Sequence, residues 1–180
     1  MTNYKNKLLK MCIAAMFAAL ICVATILIQI PTPLGGYVNF GDCFILVGAW
    51  VLGPVYGFAA GAIGSAMADI FSGYLIYAPA TFIIKGLIAL IADLIAHSIV
   101  SKNSKLRIPG YCIGAATAEA FMIAGYYLYE ATILGYGFTG ALPGIAGNAV
   151  QAAVGAVCGC LIILLIAKTK VLAKFDRYTE

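Results

Sequence analysis

Charge is scarce in this chain. Only 11 Lys and Arg, 7 Asp and Glu and one His occur among 180 residues, a charged fraction of 10%. A soluble domain of that size carries about a quarter charged residues and is roughly half apolar. Here the hydrophobic fraction is 63% and the mean hydropathy +1.01, so little of the chain can lie outside a bilayer. One His excludes a multi-His metal site, and no Walker sequence is present, so the chain has no ATPase site of its own. Six Cys are scattered (Cys12, Cys22, Cys43, Cys112, Cys158, Cys160) without a disulfide framework or zinc spacing, and no metal or cofactor is expected. Three Lys before an apolar run resemble a signal peptide. The run continues to Ile30 and ends in IQIPTP without a small-x-small cleavage site, so it reads as a retained span. Long polar linkers and soluble domains are also missing.

What is abundant is apolar sequence in runs near the length that crosses a bilayer. Six are expected: Leu8 to Ile30, Asp42 to Tyr56, Phe58 to Tyr77, Ala78 to Val100, Pro109 to Leu134 and Pro143 to Lys168. The expected fold class is therefore an all-α integral membrane protein, one compact bundle of six transmembrane helices over residues 1–180. Basic residues collect before the first run (Lys5, Lys7, Lys10), between the fourth and fifth (Lys102, Lys105, Arg107) and after the sixth (Lys168, Lys170, Lys174, Arg177). The alternate loops, Pro31 to Gly41, Gly73 to Ala80 and Gly135 to Pro143, contain none. By the positive-inside rule both termini are cytoplasmic. The net charge of +4 follows from this topology and is no argument for nucleic acid.

Ionisable groups inside such runs are costly and usually face a protein interior or a wet cavity. Sorted by depth, Asp69, Tyr77, Thr81, Lys85, Tyr126, Glu130, Asn148 and Gln151 belong to the outer half. Tyr77, Thr81 and Lys85 recur every four residues along one helix face, and Tyr126 and Glu130 along another. Asp69 and Lys85 lie at matched depth, where a pair would lower the cost of both, with a direct ligand contact of Lys85 as the lesser alternative. Glu119 is near mid-bilayer, and Asp93 with His97, four apart, reads as a structural pair toward the cytoplasm. Small residues recur at four-residue intervals in Gly53, Gly57, Gly61 and Ser65, and in Ala14 with Ala18 and Ala15 with Ala19, a spacing that lets helices approach closely. The loop TPLGGYVNFGD, with Asn39, can fold over a pocket mouth or merely connect. The arrangement predicts an outward-facing pocket for a small heteroaromatic solute.

Three segments, GYVNFGDCFILVGAWVLGPVYG, GSAMADIFSGY and APATFIIKGL, together with the Ala-x-x-x-Ala first helix, carry a resemblance. They resemble the substrate-binding S components of energy-coupling-factor (ECF) vitamin transporters, nearest the branch of hydroxymethylpyrimidine, pyridoxine and riboflavin carriers. The resemblance implies a subunit of an ABC-type importer in the bacterial cell membrane. It would work with a transmembrane coupling protein and two ATPase subunits and topple to release its load. It also implies that Ala14 and Ala18, or Ala15 and Ala19, contact the coupling protein. The pocket would lie under the first loop, with Asn39, Tyr77, Thr81, Lys85, Tyr126, Glu130, Asn148 and Gln151 as candidate substrate-binding residues. NFGDCF departs from the Asp and Pro arrangement of the riboflavin carriers, which favours a single-ring pyrimidine or pyridine vitamin, with riboflavin or another vitamin as the alternative. A stand-alone proton-coupled carrier would instead use Glu119, Asp69 and Lys85 as a relay. An intramembrane enzyme has thin support in one His beside one Asp.

Overall fold

The computed structural model describes residues 2–32 and 34–167. Lys168, Lys170, Lys174 and Arg177, which the topology reading used, lie outside the described residues. Among the described residues six helices of twelve residues or more are arranged in chain order: α1 (Thr2–Leu27), α2 (Gly41–Leu52), α3 (Pro54–Phe71), α4 (Ala78–Val100), α5 (Arg107–Leu128) and α7 (Leu142–Ala167), with a single turn, α6 (Gly137–Gly140), before the last. Three of them, Lys7–Leu27 within α1, α4 and α7, are long and apolar enough to cross a membrane. Large apolar side chains such as Met16, Leu27, Val55, Phe71 and Ile133 point outward, the arrangement expected when the surrounding solvent is lipid.

Local chemistry sets the helix ends. Gly53 has φ +87°, and Pro54 occupies the first turn of α3. Proline disfavours a helical residue before it, and glycine tolerates the positive φ that reverses the chain. The break therefore falls at Gly53–Pro54, earlier than the expected boundary between Tyr56 and Phe58, and α2 is correspondingly short. α3 likewise stops at Phe71, before the expected Tyr77, with a turn through Gly73 at φ +84°. The first helix ends at Leu27 where Ile30 was expected, because residues 29–31 form a strand, β1. Antiparallel pairing of β1 with β2 (Tyr37–Asn39) joins Gln29 to Asn39 and Pro31 to Tyr37, so the expected all-α chain carries one small hairpin in its first loop.

Small residues bring the helices to backbone contact. A Cβ at Gly64 would stand 2.4 Å from the Ala18 carbonyl oxygen, one at Gly57 2.7 Å from Ala49 Cα, and one at Gly114 2.6 Å from the Ala92 carbonyl oxygen. These positions seat α3 on α1 and α2, and α5 on α4. At the end near the Gly53–Pro54 break the core is aromatic. Trp50 and Tyr111 stack with ring centroids 4.7 Å apart, and Trp50 Nε1 donates to the Ala92 carbonyl at 3.3 Å.

Candidate binding cavity

At the opposite end, α1, α3, α4, α5 and α7 surround a cavity beneath the β1–β2 hairpin. It holds about 510 Å³ of space between atoms with its open mouth included. All eight candidate substrate-binding residues, Asn39, Tyr77, Thr81, Lys85, Tyr126, Glu130, Asn148 and Gln151, line it. So do Thr25, Thr32, Gly36, Tyr37, Ser65, Asp69 and Gly144. Of these, Asp69 was expected from its depth, and Ser65 was visible at the end of the Gly53, Gly57, Gly61 row. Thr25 had only a weak signal, a lone hydroxyl in the last turn of an apolar helix.

The floor is a closed polar network. Lys85 Nζ donates to Asp42 Oδ1 at 2.6 Å, and Gln151 Nε2 donates to Asp42 Oδ2, also at 2.6 Å. Gln151 Oε1 in turn accepts from the Asn39 backbone N–H at 2.8 Å and from Asn39 Nδ2 at 3.2 Å, while Asn39 Oδ1 accepts the Gly41 N–H at 2.9 Å. Met122 Sδ caps Lys85 from α5 at 2.9 Å. The expected Lys85 and Asp69 pair is thus replaced by Lys85 and Asp42. Because α2 has six residues fewer than α3 and joins it at the far end, its first turn lies lower by ~9 Å at 1.5 Å per residue. Asp42 therefore sits level with Lys85, which is on the order of 10 Å into α4. An ionised pair with its remaining atoms hydrogen-bonded is how a buried charge is tolerated.

The walls are built differently. Tyr37 OH donates to Asp69 Oδ1 at 2.5 Å. Burial above all, and then the neighbouring Asp69 carboxylate, push the Tyr37 phenol well above its ordinary range, so it stays a donor. Tyr77 OH lies 3.3 Å from Glu130 Oε1 and 3.1 Å from the Leu34 carbonyl oxygen. Thr81 Oγ1 and Tyr126 OH share a hydrogen bond of 3.0 Å. Glu130 belongs to a π-helical turn, Tyr129–Ile133, that continues α5, a local widening often found at functional sites. Asn148 lines the wall, its side chain making no hydrogen bond among the described residues.

The hairpin loop covers these walls. Leu34 O accepts from both Tyr77 and Tyr136, Gln29 Nε2 donates to Ser72 Oγ at 2.8 Å, and Gly36 lies against the Tyr77 ring. It is a cover as well as a connector.

Other expected residues fall elsewhere. Glu119 is buried below the floor, where a Cβ at Gly155 would stand 3.1 Å from its Oε1 and 2.8 Å from Asp42 Cβ. Asp93 is buried and His97 exposed at the far end of α4, away from the cavity. The two alanine rows of α1 separate: Ala14 is buried and Ala18 backs onto Gly64 of α3, whereas Ala15 and Ala19 are exposed. The first row is already occupied within the chain.

A family model for the S component of the ECF-type riboflavin transporter matches residues 5–168. The solved structure of the S component of a bacterial ECF transporter is similar in fold, with a TM-score of 0.65 at 21% identity over 91% of this chain and 97% of that one. An uncharacterized protein in the gap 3′ region of Pyrococcus woesei is 33% identical over 140 residues, 77% of this chain and 88% of the relative.

Proposed function

The chain belongs to the family of ECF-type riboflavin transporter S components, and from that premise we propose that it captures a small heteroaromatic vitamin in the hairpin-covered cavity and delivers it inward with a transmembrane coupling protein and two ATPase subunits. S components are substrate-binding transporter subunits in the membrane and not enzymes. The observation that carries the reading is the convergence of eight polar side chains from three helices and a loop on one cavity in an otherwise apolar bundle. Riboflavin is the first cargo to test, since the matching family model is the riboflavin one. The single-ring alternatives, hydroxymethylpyrimidine and pyridoxine, rest on the NFGDCF segment, whose Asp42 and Asn39 are consumed by the floor network and leave few ligand-facing groups.

All six long helices cross the bilayer in this reading, with both termini cytoplasmic and the cavity facing out. The exposed Ala15 and Ala19 row meets the coupling protein, because Ala14 is buried and Ala18 is engaged on α3.

Titration of the detergent-purified chain against water-soluble vitamins, read by intrinsic fluorescence or native mass spectrometry, tests the cargo. Saturable one-to-one binding of one ring compound by the chain alone is expected, and no binding across the panel overturns the assignment. In cells with the partner subunits, Ala15→Trp with Ala19→Trp keeps binding and abolishes ATP-driven uptake. A stand-alone carrier would transport as before.

A further inference from the structure

α5 and α7 run antiparallel, and their contacts step past one another in register. At the cavity end Gly144 packs on Glu130, where a Cβ would stand 2.2 Å from Oε2. Farther in, Gln151 Nε2 lies 3.5 Å from Met122 Sδ, and a Cβ at Gly155 would stand 3.1 Å from Glu119 Oε1. Continuing away from the cavity, toward the end of α7 and the start of α5, the same line leads to Cys160 and Cys112. Their side chains meet there and share a hydrogen bond. Cys112 is exposed and Cys160 half-buried. The pair lies outside the cavity and has no part in the floor network.

The other cysteines are placed differently. Cys43 is buried, and its Sγ donates to the Phe40 carbonyl at 3.0 Å. Cys12, near the start of α1, is exposed like Cys112 but makes no hydrogen bond to another thiol among the described residues.

We infer that Cys112 and Cys160 form a redox-active dithiol site, which a small uncharged peroxide closes into a disulfide between α5 and α7. A disulfide requires two cysteines whose side chains already converge, and thiols that share a hydrogen bond meet that condition. Cys112, the exposed member, reacts first. Its sulfur attacks one oxygen of hydrogen peroxide, the O–O bond breaks, and one water leaves with the thiol proton, giving a sulfenic acid. The Cys160 sulfur then attacks the sulfenic sulfur; the S–S bond forms, the S–O bond breaks, and a second water carries off the remaining proton. The two thiols together lose two electrons and the peroxide gains them. In the topology proposed above this end of the bundle faces the cytoplasm, where thiols are kept reduced and a disulfide is usually transient and redox-sensing. Closure fastens the inner ends of the two helices whose outer halves bring Glu130, Asn148 and Gln151 to the cavity.

The experiment treats the reduced full chain, purified in detergent, with hydrogen peroxide, then alkylates it with N-ethylmaleimide and maps the peptides by mass spectrometry. Expected are the loss of two of the six thiols, a linked peptide pair containing Cys112 and Cys160, a mass lower by about 2 Da before alkylation, and recovery of both thiols in dithiothreitol. Cys12 is the internal control and stays alkylatable when the link has formed. Cys112→Ser and Cys160→Ser should each abolish the link. Cys112 and Cys160 still free after Cys12 has been oxidised, a link formed only between two copies of the chain, or an intramolecular link to another cysteine in their place overturns the inference. If a variant does not fold, the peptide map of the native chain decides. None of these outcomes depends on which vitamin is bound, so the reading of the cavity stands or falls separately.

Discussion

The floor and the walls of the cavity are made from the same kinds of side chain and treat them in opposite ways. On the floor Lys85, Asp42, Gln151 and Asn39 satisfy one another, with both Asp42 oxygens engaged. On the walls Asp69 and Glu130 each keep one buried oxygen without a partner, and the Asn148 side chain makes no hydrogen bond among the described residues. A closed network holds helices in register and has little left to offer a ligand. A half-satisfied one carries the cost of its unpaired buried groups. The contrast separates polar groups that complete one another from polar groups left without a partner.

The comparison breaks most sharply at Lys85. Lys85→Met leaves Asp42, with no exposed surface, as an uncompensated buried charge, and a loss of about 3–5 kcal/mol is expected. A large fall in the thermal unfolding midpoint in detergent is the readout, and Lys85→Met with Asp42→Asn should lose less than the sum of the single changes. A midpoint close to the native one would place Lys85 with the walls. Thr81→Val removes the hydrogen bond to Tyr126 and leaves that hydroxyl buried, a cost of about 1–3 kcal/mol seen in the same assay. Asn148→Ala is the mildest case. Stability should stay within about 0.5 kcal/mol, because no intramolecular bond is lost. Affinity for the bound vitamin should fall by roughly 10-fold, the loss of one ligand hydrogen bond. A destabilised Asn148→Ala would show that the walls, too, are structural.

Depth along each helix was legible without coordinates, because polar residues in apolar runs are few and the 1.5 Å rise ranks them. That is why Tyr77, Thr81, Lys85, Tyr126, Glu130, Asn148 and Gln151 could be gathered. What depth could not supply was the partner of Lys85. It depends on the vertical offset of α2, which follows from where Gly53 and Pro54 break the helix and from the hairpin that carries the chain down to Gly41. The β1–β2 pairing was hidden for a related reason, since three-residue strands leave no alternation to read. The two alanine rows of α1 have identical spacing, and only the position of Gly64 on a neighbouring helix tells them apart.

The Tyr77 hydroxyl stands within reach of two acceptors, the Leu34 carbonyl of the cover and the Glu130 carboxylate of the wall, at 3.1 and 3.3 Å. It has one hydrogen to give. Were the Leu34 carbonyl withdrawn, that hydrogen would still find Glu130 within reach, so the hydroxyl has a partner with or without the cover. Of the two tyrosines that hold Leu34, only Tyr77 has a second acceptor at hand among the described residues, and Gln29 on Ser72, Tyr37 on Asp69 and Asn39 on Gln151 fasten the hairpin as well. Such a hydroxyl can exchange one grip for another without leaving a buried donor unpartnered.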